Sequence, residues 1–189
     1  MQQLAGESLI HKQGDLHWAF ATVGQYAMEG VGVKAKSAFT AGEQDTLTNL
    51  EVLKLWESVR AYYRSGARVR FAVPSDSVSL WTGMVWPNTQ ERAFNALGPD
   101  GVQTLFGTRI EYIDQLPTIA SASKSVMFGN FGYYEIQDQG GLLIGRFGAE
   151  SDYFSRNKVG VQLLLRTSAY LRSLDTDRDT PIKYITQKT

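Results

Sequence analysis

GTRIEYIDQLPTIASASKSVMFGNFGYYEIQDQGGLLIGR, residues 107–146, is a beaded series of short apolar runs, each ended by turn residues. Arg109 to Ile113 alternates in strand fashion, and Pro117 breaks the run. Ser125 to Phe131 predicts a second strand, Tyr133 to Ile136 a third, and Leu142 to Ile144 a fourth. Gly140–Gly141 between the last two suits a hairpin turn. Glu111 and Asp114 are close in the chain, but on a strand they face opposite ways, which is poor for paired-carboxylate chemistry. SASK at 121–124 mimics a serine–lysine pair without its partner motifs, and a polar loop is the default.

Towards the C-terminus, Lys158 to Tyr170 alternates at length, with Val159, Val161, Leu163, Leu165, Thr167 and Ala169 on one side. Ile182 to Ile185 predicts a final strand. Towards the N-terminus, residues 46–65 give the clearest helix signal. Thr48 and Glu51 fit a capping box, in which each side chain satisfies a free amide of the first turn. Val52, Leu55, Trp56, Val59, Tyr62 and Tyr63 form one buried stripe. Arg60 and Arg64 fall in or near the last turn, and Gly66 is placed to end it. Val69, Phe71 and Val73 then alternate to Pro74, after which Ser75 or Asp76 can cap a short helix that Pro87 ends. Residues 30–45 read as a loop. Residues 6–29 carry a weaker helical stripe of Leu9, Leu16, Ala19, Phe20, Val23 and Ala27, interrupted by Gly14 and Gly24.

The composition narrows the function. The 189 residues suffice for one sizeable domain or two small lobes, and 43% hydrophobic content leaves material for a core. Lys+Arg and Asp+Glu balance at 19 each, against the basic excess of a wholesale nucleic-acid binder. Near-zero net charge does not oppose self-association. There is no cysteine, which excludes disulfides and thiol chemistry. Neither a signal peptide nor a membrane-length apolar run is visible, and the chain reads as cytoplasmic at synthesis. Aromatic content of 12% fits a rich core or an extensive interface.

Chemical motifs are weak. His11 and His17 lie six apart, which is not the helical spacing that binds zinc. Asp175, Asp177 and Asp179 resemble half a calcium loop, but Thr180 stands for its glycine and Thr186 for its bidentate glutamate. Asp76 has no neighbouring His or Lys and reads as a cap. Gly30-Val31-Gly32 lacks the rest of a phosphate loop. The expectation is no enzyme, with no catalytic, cofactor-binding or metal residues and no cofactor.

Four segments in order resemble the major capsid proteins of tailed bacteriophages, whose fold encapsulins also use. They are FAVPSDSVSLW (71–81), LFGTRIEYIDQLP (105–117), SVMFGNFGYYEIQDQGGLLIGR (125–146) and DYFSRNKVGVQLLLRTSAYL (152–171). The resemblance covers residues 44–187 well and 6–43 weakly. It implies an α+β chain with the phage major capsid protein fold. Residues 44–147 and 174–189 would form an axial lobe. Residues 1–43 and 148–173 would form a peripheral lobe with a spine helix. The implied work is structural: pentamers and hexamers of an icosahedral virion shell around double-stranded DNA, held non-specifically, with scaffold, portal or decoration proteins as further partners and no membrane. Two family features are not matched. The arm and extended loop that precede the spine helix find no counterpart in residues 1–43. Asn157 falls at the cross-linking asparagine, but Leu164 stands where the catalytic glutamate belongs, so no self-cross-linking is expected. The alternatives are an encapsulin-like compartment shell, and a small hydrolase using Asp76, Glu111 or Asp114.

Overall fold

The computed structural model describes residues 30–86, 91–95, 102–147, 160–172 and 180–189. Its elements are α1 (Val31–Lys34), β1 (Lys36–Thr40), α2 (Asn49–Ser58), β2 (Val69–Pro74), α3 (Val78–Thr82), β3 (Phe94–Asn95), β4 (Thr104–Leu105), β5 (Thr108–Ile113), β6 (Val126–Asn130), β7 (Tyr134–Phe147), β8 (Gly160–Leu171) and β9 (Ile182–Thr186). Seven strands form one sheet in the order β1-β9-β6-β2-β5-β4-β3, and β7 with β8 forms a separate two-stranded ribbon.

Helix α2 shows how local chemistry sets an element. Thr48 Oγ1 accepts from the Glu51 amide, and the Glu51 carboxylate accepts from the Thr48 amide at 2.8 Å. The capping box is therefore present. The same carboxylate accepts from the Gly42 amide at 2.6 Å, which fastens the preceding loop to the helix. Partial burial works against its charge, yet these hydrogen bonds, with a contribution from Lys54, hold the carboxyl below its usual range.

The helix is shorter than the expected 46–65. Val59 turns extended after Ser58, and two donors take the terminal carbonyls: Ser58 Oγ on Leu55 O at 2.7 Å, and Lys183 Nζ on Ser58 O at 2.6 Å. Lys183, from β9, thus does the work expected of Arg60 and Arg64. Gly66 has φ +113° but lies in the turn into β2, beyond the helix end. Val52, Leu55, Val59 and Tyr63 are buried as expected, whereas Tyr62 points out and is 66% exposed.

The core lies between α2 and the sheet. Phe71, Val73, Trp81, Leu105, Val126, Phe128 and Ile185 join Val52 and Leu55 there. Phe71 and Phe128 are cross-strand partners with ring centroids 4.6 Å apart. The short helix α3 is not capped by Ser75 or Asp76. Ser77 Oγ instead donates to Pro74 O at 2.6 Å and accepts from Trp81 Nε1 at 2.7 Å, which satisfies the indole in the core. The other sheet face packs Ala72, Met127, Ile182 and Tyr184 with Val31, Ala35 and Leu116, and Tyr134 and Leu171 at the ribbon base join them. Burial pushes the Tyr134 hydroxyl up to about 12.

Three sequence expectations change. Residues 30–45, read as loop, contain α1 and β1, and β1 pairs in parallel with β9. Gly140–Gly141 is no hairpin turn. Residues 134–136 and 142–144 belong to one strand, β7, whose partner is β8. Gln139 faces Arg166 and Leu143 faces Leu164, so residues 140–142 oppose Leu165 alone. Gly140, at φ +75°, absorbs this bulge, and the two-residue excess leaves each side chain on its original face. Finally, the short helix expected to run on to Pro87 ends at Thr82.

Gly129 marks the corner where the chain leaves the sheet for the ribbon. A Cβ there would stand 2.1 Å from Pro181 O, at φ +155°. Next to it, Asn130 Nδ2 donates to Ser65 O at 3.1 Å and Asn130 Oδ1 accepts from the Gly132 amide at 3.0 Å.

Candidate assembly surfaces

The carboxylates weighed for hydrolysis are exposed or held in ion pairs. Asp76 and Asp114 are exposed beyond the ends of β2 and β5. Glu111 forms ion pairs with Arg70 on the neighbouring strand β2 and, at 3.5 Å, with Arg109 on its own strand. In SASK, Ala122 adopts φ +59°, Ser123 Oγ accepts from the Ala120 amide at 3.1 Å, and the Lys124 ammonium stands 5.1 Å from the Tyr184 ring centroid. These contacts define a turn. Among the described residues, no three His, Asp or Glu side chains are grouped to hold a metal ion. His11, His17, Asn157, Asp175, Asp177 and Asp179 lie outside the described residues, as does the 6–29 stripe. Leu164 lies in β8 and is partly exposed.

What the structure offers is surface. The ribbon carries apolar side chains into solvent. Ile136, Ile144 and Val161 share one face by register, with exposures of 51, 65 and 64%. Leu143 and Leu164 face each other on the opposite side, also exposed. At the base, Glu135 accepts from Tyr170 Oη and, at 3.0 Å, from Arg172 Nη1. These hydrogen bonds from Tyr170 and then Arg172 hold Glu135 below its usual range, and the hydrogen bond to Glu135 raises the Tyr170 hydroxyl. No local signal could have found this trio, because Glu135 lies thirty-five or more residues from Tyr170 and Arg172 and meets them through the β7–β8 register.

A second surface covers the C-terminal end of α2. The Arg64 guanidinium stands 4.1 Å from the Trp56 ring centroid. Tyr63 makes edge contacts with Tyr62 and Tyr133, at 5.3 and 5.0 Å. Trp56 and Tyr62 were expected inside the helix stripe. Trp56 packs partly buried against the core, whereas Tyr62, beyond the early helix end, is exposed. A third surface is an open depression at the other end of α2, lined by Glu43, Gln44, Asp45, Thr46 and Lys188.

The described residues thus combine a seven-stranded sheet with a separate two-stranded ribbon. The Phage capsid family model matches residues 18–167, and the chain belongs to that family. Solved structures agree on the fold. A capsid described as that of an empty GTA particle, computed with C5 symmetry, matches with TM-score 0.70 at 19% identity, covering 100% of this chain and 65% of that one. The capsid of a native GTA particle, also with C5 symmetry, gives 0.71 at 18% identity, covering 100 and 72%. A chain of Mycobacterium phage Bobi gives 0.54 at 9% identity, covering 95 and 60%. The chain thus spans about two thirds of the length of these structures. No curated protein matches it. The fold is α+β of the phage major capsid type.

Proposed function

We propose that the chain is a structural subunit, not an enzyme, of an icosahedral virion shell, made in the host cytoplasm and assembled as pentamers and hexamers around double-stranded DNA. Membership of the Phage capsid family carries this reading. The five-fold symmetry of the similar GTA capsids supports ring formation. In this reading the seven-stranded body is the axial lobe and the ribbon belongs to the peripheral lobe. Helix α1 packs beside β8, so the chain arrives at Gly30 next to the ribbon. Scaffold, portal or decoration proteins are further partners in this reading.

Negative-stain microscopy over a concentration series tests the proposal. Rings or closed particles that accumulate with concentration support it. A chain that stays monomeric at the highest concentration counts against assembly by these residues alone.

A further inference from the structure

Charge is distributed unevenly about α2. Residues 41–51 contain Glu43, Asp45 and Glu51 and no cation. Residues 52–70 contain Lys54, Arg60, Arg64, Arg68 and Arg70 against Glu57 alone. The helix dipole accounts for part of this, since acids favour the N-terminus and cations the C-terminus. Glu51 at the cap and Lys183 on the Ser58 carbonyl already serve that purpose. It does not account for the exposed Glu43 and Asp45, which lie before the cap, or for Arg68, which lies beyond the last turn.

The two charged surfaces stand at opposite ends of one rigid element. The ten residues of α2 span about 15 Å. Strand β9 gives the same spacing independently. Lys183 touches Ser58 at the C-terminal end, while Lys188 lines the depression at the N-terminal end, five residues of about 3.3 Å later. One surface groups the exposed Tyr62 with the partly exposed Trp56 and Arg64. The other is an open hollow bordered by Glu43 and Asp45. Trp, Tyr and Arg are the residue types that dominate binding energy at protein interfaces.

A cyclic ring needs two different, complementary surfaces on each subunit, because each copy contacts the next head to tail. On the reading of this chain as a ring-forming shell subunit, we infer that the Trp56–Tyr62–Arg64 surface of one copy docks into the Glu43–Thr46 depression of the next. The occupant of each surface is therefore a second copy of this chain. Opposite charge fixes the register, and the aromatic side chains supply the buried area.

The absence of cysteine makes the contact directly testable. Gln44 and Ala61 are exposed residues of the two surfaces. Chains carrying Gln44→Cys are mixed with chains carrying Ala61→Cys and oxidised mildly. The expected product is the mixed disulfide dimer, in several-fold excess over either homodimer and over a control pair of Gln44→Cys with Ser79→Cys on α3. Adding Arg60→Glu and Arg64→Glu to the Ala61→Cys chain lowers the yield by about tenfold, and Glu43→Lys with Asp45→Lys on the other chain restores it. Circular dichroism of each variant separates a lost contact from a lost fold. Mixed-dimer yields equal to the control overturn the inference. So would an unchanged yield with the arginines reversed. Binding of double-stranded DNA that weakens with Arg60→Glu and Arg64→Glu, in place of cross-linking, would assign the surface to nucleic acid and also overturn it. Mixed dimers without rings in the microscope leave the contact standing and sink the ring-forming reading for this chain.

Discussion

The body and the ribbon solve the same problem in opposite ways. In the body, each apolar strand face meets a partner: α2 covers one side of the sheet, and the segment from Val31 to Ala35 with Leu116 covers part of the other. Phe71, Val73, Phe128 and Ile185 are fully buried. In the ribbon, residues of the same kind stand more than half exposed at Ile136, Leu143, Ile144 and Val161. A two-stranded ribbon is marginal alone in water, because it can bury neither face nor edge. The difference shows that the body carries its own stability, while the ribbon's apolar side chains are arranged for something that the described residues do not supply. Its base, at Tyr134 and Leu171, packs into the body.

The sharpest break between the two regions is at their junction. Gly129→Ala would press a methyl group into the Pro181 carbonyl at a backbone angle that side chains rarely adopt. The expected loss is more than about 4 kcal/mol, or failure to fold, read by chemical denaturation. Within the body, Phe71→Ala removes a fully buried ring and is expected to cost about 3–5 kcal/mol in the same assay. In the ribbon, Ile144→Ala is expected to change stability of the isolated chain by less than about 0.5 kcal/mol, yet to reduce particle or ring formation. A large stability loss from Ile144→Ala in dilute monomer would show that the ribbon is already covered, and the contrast between the regions would fall.

Legibility followed the range of the contacts. The capping box of α2 was readable because Thr48 and Glu51 lie three residues apart and their chemistry is local. Strands β2, β5, β6 and β9 were readable within a residue or two from their alternation. The helix end was not, because Lys183 reaches Ser58 from across the sheet. Gly140–Gly141 was misread for the same reason. The pair carries a local hairpin signal, but the long pairing of β7 with β8 outweighs it and turns the glycines into a bulge. The order β1-β9-β6-β2 joins the two ends of the chain, and only the resemblance to capsid proteins could suggest it. For the surfaces, the charge asymmetry between residues 41–51 and 52–70 stood in the sequence. Its meaning needed the true end of α2, which separates the exposed Tyr62 from the buried Tyr63.

The cap of α2 offers a smaller test, because it belongs to the body and should be felt there. Thr48→Ala removes the hydroxyl that accepts from the Glu51 amide and donates to the Glu51 carboxylate. A loss of about 0.5–2 kcal/mol is expected. The effect depends on pH with a definite sign. The folded-state value of Glu51 lies below its ordinary 4.5, so its contribution is fully present above 4.5 and is lost as pH falls through the lower folded value. Glu51→Gln should therefore flatten the acid limb of a stability-against-pH curve and leave the neutral limb lower by a constant amount. An acid limb that stays unchanged would place the acid-sensitive group elsewhere.

The smallest effect is expected at the base of the ribbon, where Glu135 joins Tyr170 across the two strands and Arg172 just beyond β8. All three are solvent-exposed or nearly so, and screening keeps exposed pairs weak. The body should not register their loss. Glu135→Gln is expected to leave the unfolding midpoint at neutral pH unchanged within error while speeding amide hydrogen exchange in residues 134–139 and 166–171, which face each other there. The sign with pH follows from the depressed carboxyl. The tie is complete above the ordinary carboxylate range and weakens as pH falls through the lower folded value, so exchange in the wild type should approach that of the variant only in acid. If instead Glu135→Gln lowers the midpoint and speeds exchange in β2 and β6 as strongly as in the ribbon, sheet and ribbon unfold as one unit. Their separate stabilities, on which the contrast between a self-sufficient body and a dependent ribbon rests, would then not exist.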